Sequence, residues 1–483
     1  MENYLTSLKP EKLWKHFSDI LKIPHGSGNE APLAEHIISL AKGWNLEWQK
    51  DKVGNVVVRK PSSPGHEQAP GVVLQAHLDM VCEKNSDVQH DFTKDPINAY
   101  FDGDWVKAKG TTLGADNGIG VAACLAVLED RTLTHGPVEC LFTVDEETGL
   151  TGAFKLKKDL LQGKLLLNLD SEDEGTFTIG CAGGADSEVL LPVERKKKKP
   201  KNVIKIKITG LRGGHSGLDI NQGRGNALKF LARILSQAQE KYIFELVSFD
   251  GGSKRNALPR EAWAVVAVEP VTQKALINYL KKSFELIKFE YKVTEPEMTL
   301  DIQKTAATGF PLAAKSQARL LNLLLALPHG VISMHPEISG LVETSTNLAI
   351  VNSEEKAIKI ICSSRSSVMS ALEFVRRMIK AITQLAEARV NQPEGYPSWT
   401  PNLQSSLLQK LAGIYKNLFQ QEPEIKAVHA GLECGIIGEK YPGMDMISFG
   451  PTIKNPHSPD ERVQAGSVEK FWNFLVETLA RLV

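Results

Sequence analysis

In "LQAHLDM", His77 and Asp79 stand two residues apart in an apolar run, so on a strand both side chains leave the same face. An imidazole with a carboxylate beside it makes a metal ligand and the group that orients it. Taken alone, the pair reads as a satisfied core histidine, and the chemistry needs partners. Asp116 in "TLGADNGIG" ends a loop where a helix begins, near the positive end of the helix dipole; in isolation it would be an ordinary N-cap. "FTVDEETGL" stacks Asp145, Glu146 and Glu147 at the end of another apolar run, and "LLLNLDSED" delivers Asp170 from a further one. His457 comes last, in the turn-rich "FGPTIKNPHSPDERV". Carboxylates gathered in one crevice repel, which implies a cation. Two histidines and three carboxylates without thiolate suit a pair of zinc ions or a similar divalent metal. The chain has no H-E-x-x-H, which argues against a single-zinc protease of that kind.

These side chains need a frame that brings them together. The first part of the chain alternates short apolar strands ("NVVVRK", "GVVLQAHLDMV", "VECLFTV", "KLLLNLDSE") with helical stretches, including one from about Asn117 to Glu129. That order predicts α/β architecture with strands covered on both faces. In open α/β sheets, sites gather at the carboxyl ends of strands, which is where the acids fall. The texture then changes at "RKKKKPK", followed by the strand "NVIKIKITG" and a helix over about 226–241. "TNLAIVN", "KAIKIICSS" and a helix from Val368 repeat that sequence of events, which suggests two lobes, each a small sheet with helices. "VNQPEGYPSWTPN", with prolines at 393, 397 and 401, reads as a linker. The expected organisation is a mixed-sheet catalytic domain, segments 1–185 and 391–483, interrupted by a two-lobed α+β domain over 186–390.

Composition bounds the rest. A chain of 483 residues is too long for one ordinary core. Lys plus Arg and Asp plus Glu both number 57, so no bulk charge draws it to nucleic acid or an anionic membrane. The six cysteines are scattered without a C-x-x-C pair and read as reduced thiols. The charged N-terminal stretch lacks the apolar region of a secretion signal, and no run approaches the ~20 apolar residues of a membrane span, so the expected location is the cytoplasm.

In order along almost the whole chain stand "AHLDMV", "TTLGADNGIG", "DEETGLTGA", "NLDSEDEG", "GLRGGHSG", "GLVETSTN", "HAGLECG" and "SFGPTIKNPHSPDE". Together they resemble the M20 metallopeptidases, in the branch of the aminoacyl-histidine, or cytosolic non-specific, dipeptidases. His329 in "LPHGV" departs from the Asn expected there, and this puts no ligand in doubt. The resemblance implies that Asp116 bridges two metals, with His77 and Asp170 completing one site and Glu147 and His457 the other. It implies that Glu146 is the general base, that Asp79 orients His77, and that His215 in "RGGHSG" donates to the oxyanion when a lid closes. Arg365 in "CSSRSSV" resembles the arginine that holds a substrate's C-terminal carboxylate. Asn256 in "KRNALP" and Gly431 in "HAGLECG" are further substrate-side candidates.

The implied activity is hydrolysis of small peptides, dipeptides including Xaa-His species such as carnosine. An M20 aminoacylase or carboxypeptidase, or a non-catalytic metal- or peptide-binding protein, is the alternative. A homodimer is open, since the two-lobed lid could supply internally what a partner gives shorter relatives or could itself dimerise. "GIGVAA" fits G-x-G-x-x-A but follows no strand, so its glycines read as helix packing. The basic run reads as a solvated edge, and Asp145 has no assigned role.

Overall fold

The apolar runs that end in acids become the centre of an eight-stranded sheet, and the computed structural model describes residues 4–306 and 309–483 of the chain. Met1–Asn3, where the charged N-terminal stretch begins, and Ala307–Thr308 of the expected insertion lie outside the described residues. The chain divides into two compact units. The first comprises Met1–Cys181, Trp399–Ala427 and Leu432–Val483, and the second Ala182–Ser398 and Val428–Gly431.

In the first unit the strand order is Glu47–Lys50, Val56–Lys60, Val138–Thr143, Val72–His77, Leu165–Asn168, Asp445–Ser448, Thr176–Cys181 and Glu424–Val428. Val72–His77 runs parallel to both neighbours, and Asp445–Ser448 runs parallel to Leu165–Asn168. Four carboxyl ends therefore point to one edge. The register sets His77 opposite Thr143 and Gln75 opposite Asn168, so residues 145–147 and 170 leave the sheet beside His77.

Helix Ala115–Glu129 is buried from Ala115 to Leu128, which explains why its sequence is apolar all round. A Cβ at Gly120 would lie 2.8 Å from the Leu169 carbonyl, so the glycine of "GIGVAA" serves close packing. A four-stranded sheet, in the order Ile453–Lys454, Arg462–Gln464, Trp105–Ala108 and Ala99–Asp102, folds residues 455–461 into a hairpin loop. That loop carries His457.

The second unit holds a nine-stranded sheet. One half is built on Thr299–Lys304, Val203–Thr209, Ala262–Val268 and Phe244–Gly251, the other on Val342–Ser353, Ala357–Ser366 and Gly183–Pro192. The halves meet where Gly251 pairs with Val351, and buried residues of both contribute to one core. The Pro-rich stretch expected as a linker is hydrogen-bonded on both sides of its middle. Tyr396 exchanges backbone hydrogen bonds with Gly184 in the second unit, and Trp399 with Cys181 in the first. Extended backbone with fixed proline φ angles can pair at a sheet edge as readily as it can span a gap.

Arg195 at the head of the basic run donates to the carbonyls of Val247, Phe310, Glu354 and Glu355, while Lys196–Lys199 are exposed. All six cysteines are free thiols. Among the described residues no helix is long and apolar enough to cross a membrane.

Candidate active site

His77 Nδ1 lies 3.0 Å from the Asp79 carbonyl, an acceptor only, so Nδ1 carries the proton and a neutral ring has its lone pair at Nε2. That lone pair faces Asp116 Oδ1 at 3.1 Å and Asp170 Oδ1 at 3.2 Å. On the far side of Asp116, His457 Nε2 lies 3.2 Å from Oδ2 and 3.0 Å from Glu147 Oε2. At His77 an acceptor thus converges on acceptors, and both imidazoles meet the one Asp116 carboxylate. Two charge states relieve the repulsion: protonated imidazoles, or cations between the groups.

The charge state of the metal-free chain follows from the same geometry. Burial alone would lower the pKa of His77, but Asp170, Asp116 and Asp79 outweigh it and carry it well above the usual imidazole range. Hydrogen bonds to Asp116 and then Glu147 push His457 up to about 11. Burial raises Glu146 well above the usual carboxylate range. Glu147 Oε1 and Asp170 Oδ1 are buried and receive no hydrogen bond among the described residues. His77, Asp116 and Asp170 form one group of donor atoms that could hold a metal ion, and Asp116, Glu147 and His457 form another. The set is nitrogen and oxygen only, as borderline and hard divalent metals require.

Asp79 does more than face His77. Its Oδ1 accepts the Glu146 N–H at 3.0 Å, and its Oδ2 accepts the Glu147 N–H at 3.1 Å and the Ser27 hydroxyl at 2.8 Å. Burial would raise its pKa, but hydrogen bonding to His77 and to these donors brings it down to about 2. The Asp79 carboxylate therefore holds the backbone of the two glutamates, while its backbone carbonyl faces His77 Nδ1. Asp145 also gains a role. It precedes helix Glu146–Gly149 in left-handed conformation (φ 54°), and its carboxylate accepts the hydroxyls of Thr148 and Thr151, which holds the turn in that strained shape.

Two acids here escape a sequence reading. Glu461, 2% exposed, accepts four consecutive backbone N–H groups: Leu113 at 2.6 Å, Gly114 at 2.9 Å, Ala115 at 2.8 Å and Asp116 at 3.2 Å. It ties the His457 loop to the start of the Asp116 helix. Glu433 accepts from Gln75 Nε2 at 2.6 Å and Thr143 Oγ1 at 2.7 Å, behind the strand that ends in His77, and burial pushes it up to about 7. Both lie inside quoted motifs, Glu433 in "HAGLECG" and Glu461 at the end of "SFGPTIKNPHSPDE", but nothing in one sequence says which backbone or side chain each will meet.

His215, Arg365, Asn256 and Gly431 belong to the second unit. His215 Nδ1 accepts the N–H groups of Gly217 and Leu218, at 3.2 and 3.1 Å, which leaves Nε2 as a donor. Burial and then the Arg365 charge lower its pKa. Arg365, 8% exposed, donates from Nη1 to Tyr396 Oη at 2.7 Å. Asn256 is exposed, and its carbonyl accepts the Ser216 N–H at 2.8 Å. Gly431 packs against the Tyr396 ring, 2.8 Å from where a Cβ would be. His329 Nδ1 lies 3.3 Å from the Asn226 amide nitrogen; burial pushes its pKa down to about 3.

Residues 73–481 match the model of peptidase family M20/M25/M40. The chain belongs to this family. As an M20 peptidase it is an enzyme of the α/β fold class expected from its sequence. It is 44% identical to the cytosol non-specific dipeptidase of Escherichia coli (strain K12), over 99% of each chain. It also matches the crystal structure of aminoacylhistidine dipeptidase from Vibrio alginolyticus, with 43% identity, a TM-score of 0.92 and coverage of 100% of this chain and 99% of that one. The aminopeptidase PepT of Bacillus cereus shares the fold at 13% identity, with a TM-score of 0.58 over 98% of this chain and 99% of that one.

Proposed function

We propose that this M20 peptidase is a cytoplasmic dipeptidase that hydrolyses unblocked dipeptides, including those with a C-terminal histidine, with a pair of zinc ions. The observation that carries this reading is the shared carboxylate of Asp116, flanked by His77 and Asp170 on one oxygen and by Glu147 and His457 on the other side. The names of the two close relatives support the substrate class, and scattered free thiols agree with a reducing compartment.

His77, Asp116 and Asp170 would hold one ion and Asp116, Glu147 and His457 the other, and the unpartnered buried oxygens fit that occupancy. When bound, the ions would supply Lewis acidity to the scissile carbonyl and acidify a water toward a pKa of ~7. Glu146 takes the proton from that water at its carboxylate and later passes it to the leaving amine. Its buried setting favours holding the proton between the two steps. Asp79 keeps this base beside Glu147 by binding both backbone N–H groups. His215, with Nε2–H free to donate, stabilises the developing oxyanion, and Arg365 takes the peptide's carboxylate in its planar fork.

The test is a panel of free dipeptides and their N-acetylated forms on zinc-reconstituted protein, with chelated protein as control. Turnover of free dipeptides that is lost on chelation is expected; preference for the acetylated forms would turn the reading to an aminoacylase.

A further inference from the structure

Arg365 lies in the strand Ala357–Ser366, directly across from Gly184 on one side and from Ser345 on the other. Cross-strand partners share a face of the sheet, so what stands at 184 and 345 shapes the space around the guanidinium. On the first side there is no side chain. Gly184 instead exchanges both backbone hydrogen bonds with Tyr396, at 3.1 and 2.9 Å, and the phenol fills the gap. A Cβ at Gly184 would lie 2.4 Å from Tyr396 Oη. Gly431 borders the same ring, so two glycines shape the slot that it occupies.

The ring ends in the hydroxyl that accepts from Arg365 Nη1. Nε of the same guanidinium is buried and has no hydrogen-bond partner among the described residues. A guanidinium offers a bidentate ligand either its Nη1/Nη2 end or its Nε/Nη2 side. With Nη1 engaged by the phenol, the Nε/Nη2 side is what remains. On the opposite flank, Ser345 Oγ meets His429 Nε2 at 2.7 Å. Burial, then Arg365 and His215, push the pKa of His429 down to about 3, so it stays neutral and adds no competing charge.

We propose that Tyr396 is the positioning residue of a carboxylate subsite, locking Arg365 so that its Nε/Nη2 side meets a peptide's C-terminal carboxylate and sets the preference for free acid over amide. This rests on the reading of Arg365 given above. Tyr396 touches Arg365 and need not touch the peptide, so its contribution belongs to binding and not to the chemical step.

The experiment measures kcat and KM separately for a dipeptide and for the same dipeptide as its C-terminal amide, on zinc-reconstituted wild type, Arg365→Ala, Tyr396→Phe and Gly184→Ala. Tyr396→Phe removes one hydroxyl and is expected to raise KM for the free acid about tenfold. KM for the amide and kcat for both substrates should change less than about twofold, because the ring stays in its slot and only the hydroxyl is lost. Gly184→Ala places a Cβ where Tyr396 Oη now lies, leaves the Arg365 side chain itself unchanged, and is expected to give the same pattern. Unchanged discrimination in Tyr396→Phe alongside lost discrimination in Arg365→Ala overturns the inference, as does an equal fall in kcat for both substrates. Discrimination that survives Arg365→Ala removes the reading of Arg365 and the inference with it.

Discussion

Glu146 and Glu147 are neighbours proposed for different tasks, and their carboxylates meet different surroundings. Glu147 Oε2 faces His457, whereas Glu146 has burial and like charges around it and no cationic partner that outweighs them. Glu146→Ala is therefore expected to retain bound metal while turnover falls by roughly 10²–10⁴-fold. Metal content by elemental analysis and kcat on a free dipeptide check this, and unchanged kcat removes Glu146 from the mechanism. Asp79→Asn should act differently. An amide keeps one acceptor oxygen but turns an NH2 toward an N–H donor of Glu146 or Glu147, so the ligand turn loosens. Metal affinity is expected to fall about 10–100-fold, read by competition with a chromophoric chelator. At this scale the candidate residues were legible as a set: His77, Asp116, Glu146, Glu147, Asp170 and His457 are each ordinary alone, and it was their motifs taken in order that resembled a known family. Asp145 was not legible, because its role depends on a left-handed turn and two threonine hydroxyls.

Elements were legible where periodicity is strong. The strands that carry His77 and the glutamates fall where the apolar runs stand, because parallel strands buried on both faces need unbroken apolar sequence. The "VNQPEGYPSWTPN" stretch is both things that proline and glycine can mark: the change from the second unit to the first falls between Ser398 and Trp399, and its backbone also pairs with Gly184 and Cys181. The His457 loop shows the limit. Its hairpin strands are two and three residues long, too short for a pattern, and His457 itself has φ 59°. Glu461 holds this loop to the Asp116 helix, and its replacement tests the element and not only the residue. Glu461→Gln turns an NH2 toward two backbone donors. Burial pushes the Glu461 pKa up to about 7, so above that pH the metal-free variant is expected to lose about 2 kcal/mol, as for hydrogen bonds to a charged group, and to bind metal more weakly. Thermal unfolding with and without zinc measures both, and an unchanged midpoint in either state rejects the clamp.

For the whole molecule, each unit has its own sheet and its own buried core, so metal should serve chemistry more than folding. Chelation is expected to abolish turnover, and zinc to restore it, while the far-ultraviolet circular dichroism of the chain stays unchanged; loss of that signal on chelation would show that the ions hold the fold. The second unit carries a pH dependence of its own. The pKa of His429 is pushed from 6.5 down to about 3 in the folded chain, so below pH 6.5 the unfolded state binds a proton that the folded state refuses. Stability is full above pH 6.5 and falls toward pH 3, by at most about 1.4 kcal/mol per pH unit from this group. Urea unfolding of wild type and His429→Gln across that range checks the sign, and equal slopes reject it. By itself the sequence determined the α/β class of the frame and supplied the residue types of the proposed site, because side-chain type and apolar periodicity are local properties of the chain. Only the tertiary structure decided that His457 faces Asp116 across 341 residues, that Glu461 clamps the loop between them, and that Tyr396 fills the space left by Gly184. These depend on which backbones come to lie side by side, and strand pairing joins residues whose separation along the chain carries no signal.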